Sequence, residues 1–103
     1  MSRQVLSTEK LTAALVDLPG WQATSGKLHK DFAFRDFREA FAFMSAMAIT
    51  SEAMNHHPEW SNLYNRVSVD LITHDTTPAG GGLTALDVEL ARAMETFAAR
   101  LKI

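Results

Sequence analysis

Apolar residues recur along this chain with two different periods, and each change of period marks a new element. Leu11, Ala14, Leu15 and Leu18 follow helical spacing. Ser7 or Thr8 caps that helix, Glu9 is favourably placed in its first turn, and Pro19-Gly20 stops it. Trp21 to Thr24 predicts a short strand and Ser25-Gly26 a turn. Leu28, Phe32 and Phe34 then give a second strand with one apolar face, so the first two strands form a hairpin.

Asp36 followed by Glu39 has the spacing of an N-cap and its capping-box glutamate. Behind it run Phe37, Phe41, Met44 and Ala48, with Ala40, Phe43 and Met47 widening the stripe; the stripe reads as core, and the helix extends to about Asn55. Pro58 cannot continue it and disfavours helical geometry at His57. Trp60 to Tyr64 and Val67 to His74 predict two further strands. In the latter, Val67, Val69 and Leu71 share one face and Ser68, Asp70, Ile72 and His74 the other. Asp75 to Gly82 reads as a flexible loop. Thr84 caps the last helix, with Asp87 at its third position and Leu86, Leu90, Met94, Phe97 and Leu101 as its core stripe. The order α-β-β-α-β-β-α, with paired strands and no alternating crossover helices, predicts an α+β fold with a largely antiparallel sheet.

Composition narrows the class. The 103 residues fit a single domain over 1–103, and an apolar fraction of 47% suits a packed core with surface to bury against copies of the same chain. A net charge of -2 without basic runs points away from nucleic acid. The absence of cysteine excludes disulfides, thiolate catalysis and zinc-thiolate sites. Met1 to Leu6 lacks the apolar stretch of a signal peptide, and Phe41 to Ile49 is too short to span a membrane; a cytoplasmic protein is expected.

Chemistry is concentrated in the histidines. Of His29, His56, His57 and His74, two are adjacent where the long helix should give way to a strand, and His74 ends the last strand. If the last two strands pair through Tyr64-Asn65-Arg66, the start of one lies beside the end of the other, which brings His56 and His57 near His74. Glu52 lies one helical turn before His56 and shares its face. His29 has no partner in this scheme and reads as part of a solvated strand face. Imidazoles titrate near neutrality and both donate and accept protons, so three around one cavity suit proton transfer. A zinc site of three histidines and a carboxylate is disfavoured, because adjacent histidines diverge and no helical metal motif is present; no metal is expected. Gly80, Gly81 and Gly82 lack the lysine of a phosphate loop. Trp60 is either core or the wall of a pocket for a flat heterocycle, and with Tyr64 on the same side of a strand it would make one apolar platform.

The run from Glu52 through His56-His57-Pro58-Glu59-Trp60 to Tyr64-Asn65-Arg66-Val67 resembles the pterin-4a-carbinolamine dehydratase family. So do Leu71-Ile72-Thr73-His74, Gly81-Gly82-Leu83-Thr84 with Asp87, and the segment from Phe32 to Met44, so that the resemblance covers nearly the whole chain. Glu52, His56, His57, Pro58, Tyr64, His74 and Asp87 fill the family pattern; the stretch Asp75 to Gly80 is longer than usual and bears on how the pocket closes. The resemblance implies four antiparallel strands with three helices, no metal and no organic cofactor, and a homodimer or homotetramer. It also implies a pterin substrate, a 4a-hydroxy-tetrahydropterin dehydrated to the quinonoid dihydropterin.

Within that reading His56 and His74 transfer protons on the ring and His57 orients the substrate or acts as base. Glu52 holds His56 in one tautomer, as a carboxylate does beside a catalytic histidine. Trp60 and Pro58 contribute to substrate binding, and Asp87 belongs to the site mainly by fixing loop geometry. The competing functions are an oligomeric protein-binding or transcriptional cofactor module and an accessory role in molybdopterin metabolism. No direct nucleic-acid contact and no membrane association are expected.

Overall fold

The computed structural model describes residues 2–101 as α1 (Thr8–Leu15), β1 (Gln22–Thr24), β2 (Lys27–Ala33), α2 (Phe37–Met54), β3 (Glu59–Leu63), β4 (Arg66–Leu71) and α3 (Ala85–Leu101). The strands form one antiparallel sheet in the order β1-β2-β4-β3. This is the α+β order that the periodicity predicts. Among the described residues, no helix is long and apolar enough to cross a membrane.

Local chemistry sets the boundaries. Ser7 accepts a hydrogen bond from the Lys10 amide, and Asp36 accepts one from the Glu39 amide, so both predicted caps form. Ser25 (φ 54°) and Gly26 (φ 78°) supply the two positive φ values that a tight hairpin with the twist of its strands requires. Tyr64 (φ 51°) turns β3 into β4. It therefore lies outside the strand, 61% exposed, and makes no platform with Trp60.

One face of the sheet is buried and the other is polar. Val67, Val69 and Leu71 are sealed beneath α2 and α3 beside Leu28, Phe32 and Phe34, while Ser68 and Asp70 face away. Phe43 anchors the core, with its ring centroid 4.7 Å from Phe32 and 5.0 Å from Phe34. The buried stripe of α2 is Ala40, Phe43, Met47 and Ser51. Phe37 (47%) and Phe41 (56%), read from the sequence as core, are exposed, as is Ala48. Because α2 is apolar around most of its circumference, periodicity alone does not say which stripe the sheet covers.

His29 lies on the polar face of the sheet, as the sequence reading has it, and it has two partners there. Its Nδ1 lies 2.8 Å from Asp70 Oδ1 on β4 and its Nε2 lies 3.1 Å from Asp31 Oδ2. A ring protonated on both nitrogens satisfies both contacts. Hydrogen bonds first to Asp31 and then to Asp70 raise the His29 pKa above its ordinary value. A raised folded-state value means that this cross-strand clamp contributes fully below the usual histidine range and is lost as pH rises through the folded value. At the acid end the contribution fades only as pH falls through the lowered value of Asp31, whose carboxylate is held down first by Ser68 and then by His29. His29→Gln is therefore expected to melt a few degrees below the wild type at pH 6, with the gap closing toward pH 9; a gap independent of pH would contradict the clamp.

Candidate active site

Three histidines gather at one end of the sheet, where β3 begins and β4 has just ended. The left-handed conformation of Asn55 (φ 52°) brings the chain there. Its amide donates to the Glu52 and Ser51 carbonyls, and the His56 amide donates to the Ser51 carbonyl at 3.0 Å, which closes α2 in a Schellman-type turn. Asparagine tolerates this conformation better than other non-glycine residues do.

That turn changes the pairing expected for Glu52. The helical register ends at Asn55, so Glu52 and His56 no longer share a face. Glu52 Oε1 instead lies 2.7 Å from His57 Nε2, on the surface. His56 turns inward, is 6% exposed, and places Nε2 2.7 Å from Asp87 Oδ1. The adjacent histidines thus diverge, each with its own carboxylate.

Asp87 is fully buried and has no contact with solvent. It completes a capping box at the start of α3: the Thr84 amide donates to Oδ2 at 2.9 Å, and the Thr84 hydroxyl accepts from the Leu86 amide at 3.2 Å. The Thr73 hydroxyl adds a second donor to Oδ2 at 2.8 Å. The reading of Asp87 as a loop-fixing residue is thus incomplete, because one carboxylate both caps α3 and holds His56. Sealed in this way, it reaches a substrate only through His56.

His56 Nδ1 remains available. It has no hydrogen-bond partner among the described residues, yet Ser51 Oγ is the one buried side-chain nitrogen or oxygen among them that lacks a partner. Solvent therefore reaches Nδ1 while Nε2 is held from behind.

His74 follows Thr73, three residues beyond Leu71 at the end of β4, and is 77% exposed. Alternation carries Thr73 inward to Asp87 and His74 outward. Its Nε2 lies 3.6 Å from Glu59 Oε2, an ionic contact too long for a hydrogen bond. The other oxygen of Glu59 accepts from Lys27 Nζ at 2.6 Å, and this bond, ahead of the His74 charge, holds the Glu59 carboxyl below its usual range. On the same polar face a cleft of about 350 Å3 is lined by Thr24, Ser25, Lys27, His29 and Asp70.

Pro58 is half-buried between His57 and β3, and Trp60 packs against the core. The loop after His74 is tied at its base, where Thr73 and Gly82 exchange main-chain hydrogen bonds of 3.0 and 2.9 Å, and Thr77 bonds to Arg3 and Val5. The contacts that sequence reasoning missed are those of Thr73 with Asp87 and of Glu59 with His74. Thr73 carried a signal, being a polar residue on the face that Val67, Val69 and Leu71 bury.

Residues 4–97 match the family model described as pterin 4 alpha carbinolamine dehydratase. The chain belongs to this family. A dehydratase-family relative from Solibacter usitatus is 47% identical over 91% of this chain and 95% of its own length. One from Afipia carboxidovorans is 50% identical over 96% of this chain and 97% of its own length. Both are named as candidate pterin-4-alpha-carbinolamine dehydratases. The crystal structure of a transcriptional coactivator/pterin dehydratase from Brucella melitensis superposes with a TM-score of 0.84 at 41% identity, covering 92% of this chain and 99% of that one. Among the described residues of this dehydratase-family chain, no group of three or more His, Asp or Glu side chains is arranged to hold a metal ion.

Proposed function

We propose that this chain dehydrates a 4a-hydroxy-tetrahydropterin to the quinonoid dihydropterin, with histidines as the proton-transfer groups. The observation that carries the proposal is the state of His56: one ring nitrogen is bound to a buried carboxylate and the other is open, at the end of the sheet where the exposed His57 precedes β3 and the exposed His74 follows β4. In the reaction the C4a–O bond breaks and the hydroxyl leaves with a proton as water. N5 loses its proton, and its electron pair forms the N5=C4a double bond. One imidazole must give a proton while another takes one. His56 Nδ1 and His74 serve these roles, and His57, steadied by Glu52, orients the ring. Trp60 and Pro58 form the floor of the site, and Asp87 acts by holding His56.

Stopped-flow mixing with freshly generated 4a-hydroxy-tetrahydropterin tests the proposal. His57→Ala is expected to raise KM while the melting temperature stays unchanged, because His57 is 57% exposed. A variant with wild-type KM and kcat would remove His57 from the site.

Assembly is part of the same proposal. Phe37, Phe41 and Ile49 leave an apolar patch on α2, and β3 is an uncovered sheet edge, features that favour a homodimer or homotetramer. Light scattering is expected to give a multiple of 11.4 kDa, with Phe41→Glu reducing it; a monomeric wild type would refute this. The same patch favours a second reading as a partner module, in keeping with the double name of the Brucella relative. A chain serving only in that way would assemble yet show no turnover in the stopped-flow assay.

A further inference from the structure

We infer that Thr73 and Thr84 are positioning residues: their hydroxyls form a one-way relay that ends on Asp87 and fixes which nitrogen of His56 carries the proton. The inference rests on the proposed role of His56, but its structural half is independent of any activity.

Proton counting sets the direction. The Leu86 amide can only donate, so Thr84 Oγ1 accepts from it. Each hydroxyl has a single proton. That of Thr73 is used on Asp87 Oδ2 at 2.8 Å. The 2.8 Å bond between the two threonine hydroxyls must therefore use the proton of Thr84. The relay runs from the Leu86 amide to Thr84, then to Thr73, then to Asp87. With the Thr84 amide also donating at 2.9 Å, both lone pairs of Oδ2 are occupied.

No proton fits on Oδ2, so the one shared by Asp87 and His56 lies between Oδ1 and Nε2, 2.7 Å apart. An imidazole holds a proton more tightly than a carboxylate, which leaves His56 as the Nε2–H tautomer with Nδ1 as a bare acceptor. Thr73 and Thr84 are 1% and 0% exposed, so neither touches a substrate. Their part is to occupy the far side of Asp87 and keep its near oxygen facing His56, as supporting hydrogen bonds behind a working side chain do.

The test uses Thr73→Val, which keeps the shape and deletes the hydroxyl, with Thr73→Ser as the rescue. Long-range 1H–15N NMR on the wild type should show the neutral His56 ring protonated at Nε2 and bare at Nδ1. The opposite tautomer overturns the relay whatever the activity, and it does so even if the valine variant fails to fold. In Thr73→Val the His56 pattern should become mixed, with kcat falling about 10- to 100-fold and KM nearly unchanged, and Thr73→Ser should restore both. An unchanged tautomer and unchanged kcat in folded Thr73→Val would overturn the inference. A correct tautomer in a wild type that does not turn over the pterin would leave the relay standing and sink the dehydratase assignment instead.

Discussion

Asp87→Asn is expected to fold normally and to lose turnover by about 10²–10⁴-fold. Asparagine has the shape of aspartate but only one acceptor oxygen. The Thr84 amide and the Thr73 hydroxyl both donate to the inner oxygen, so the carbonyl of the new side chain must face them. Its NH2 then points at His56 Nε2, the site where Asp87 Oδ1 accepts at 2.7 Å in the wild type. Two donors cannot share a hydrogen bond, so the proton of His56 must move to Nδ1, and the only open nitrogen of the ring stops being an acceptor. Stopped-flow dehydration measures the loss, and a thermal melt within a few degrees of wild type shows that the cause is not unfolding. Asp87→Ala is expected to behave differently. It strands the Thr84 amide, the Thr73 hydroxyl and His56 Nε2 in a buried site, at a cost of about 3–5 kcal/mol, which lowers the Tm by at least about 10 °C. An Asn variant with wild-type turnover would mean that the tautomer of His56 is irrelevant to the reaction.

His74→Ala is expected to lose about 10²–10⁴ in kcat at no cost in stability. The side chain is 77% exposed and its one ion pair among the described residues, with Glu59, is 3.6 Å long, so the fold has almost nothing to lose. The same exposure makes a structural reason for activity loss untenable. His29→Ala is the control: it removes an imidazole from the same polar face, bound to Asp31 and Asp70, and should leave turnover intact while shifting the pH dependence of stability. Equal activity in His74→Ala and the wild type would leave the proposed proton transfer without its second group.

The sequence was most informative where local physics decides the outcome. Alternation in β4 identified the buried face, and the caps Ser7, Asp36 and Thr84 mark their helices because each must satisfy an amide that has no partner within the helix. What depends on a single backbone torsion was not legible. The left-handed Asn55 decides whether Glu52 meets His56 or His57, and no periodicity reports it. Phe37 and Phe41 were misplaced for a related reason, since an apolar stripe read in one chain does not reveal whether the sheet or another surface covers it. The antiparallel pairing of β3 with β4 was legible, and it puts the start of one strand beside the end of the other. The pairing of His56 with Asp87 was not, because it also depends on how α3 docks against the end of the sheet.

The most direct test of the central claim is an NMR titration of the imidazole resonances with a dihydropterin analogue. The chain has four histidines, which supply both the probes and the control. The account predicts that His56, His57 and His74 shift together with one saturating binding curve while His29 stays still. Shifts confined to His29 and the cleft around Lys27, or no saturable shift at the other three rings, would contradict it.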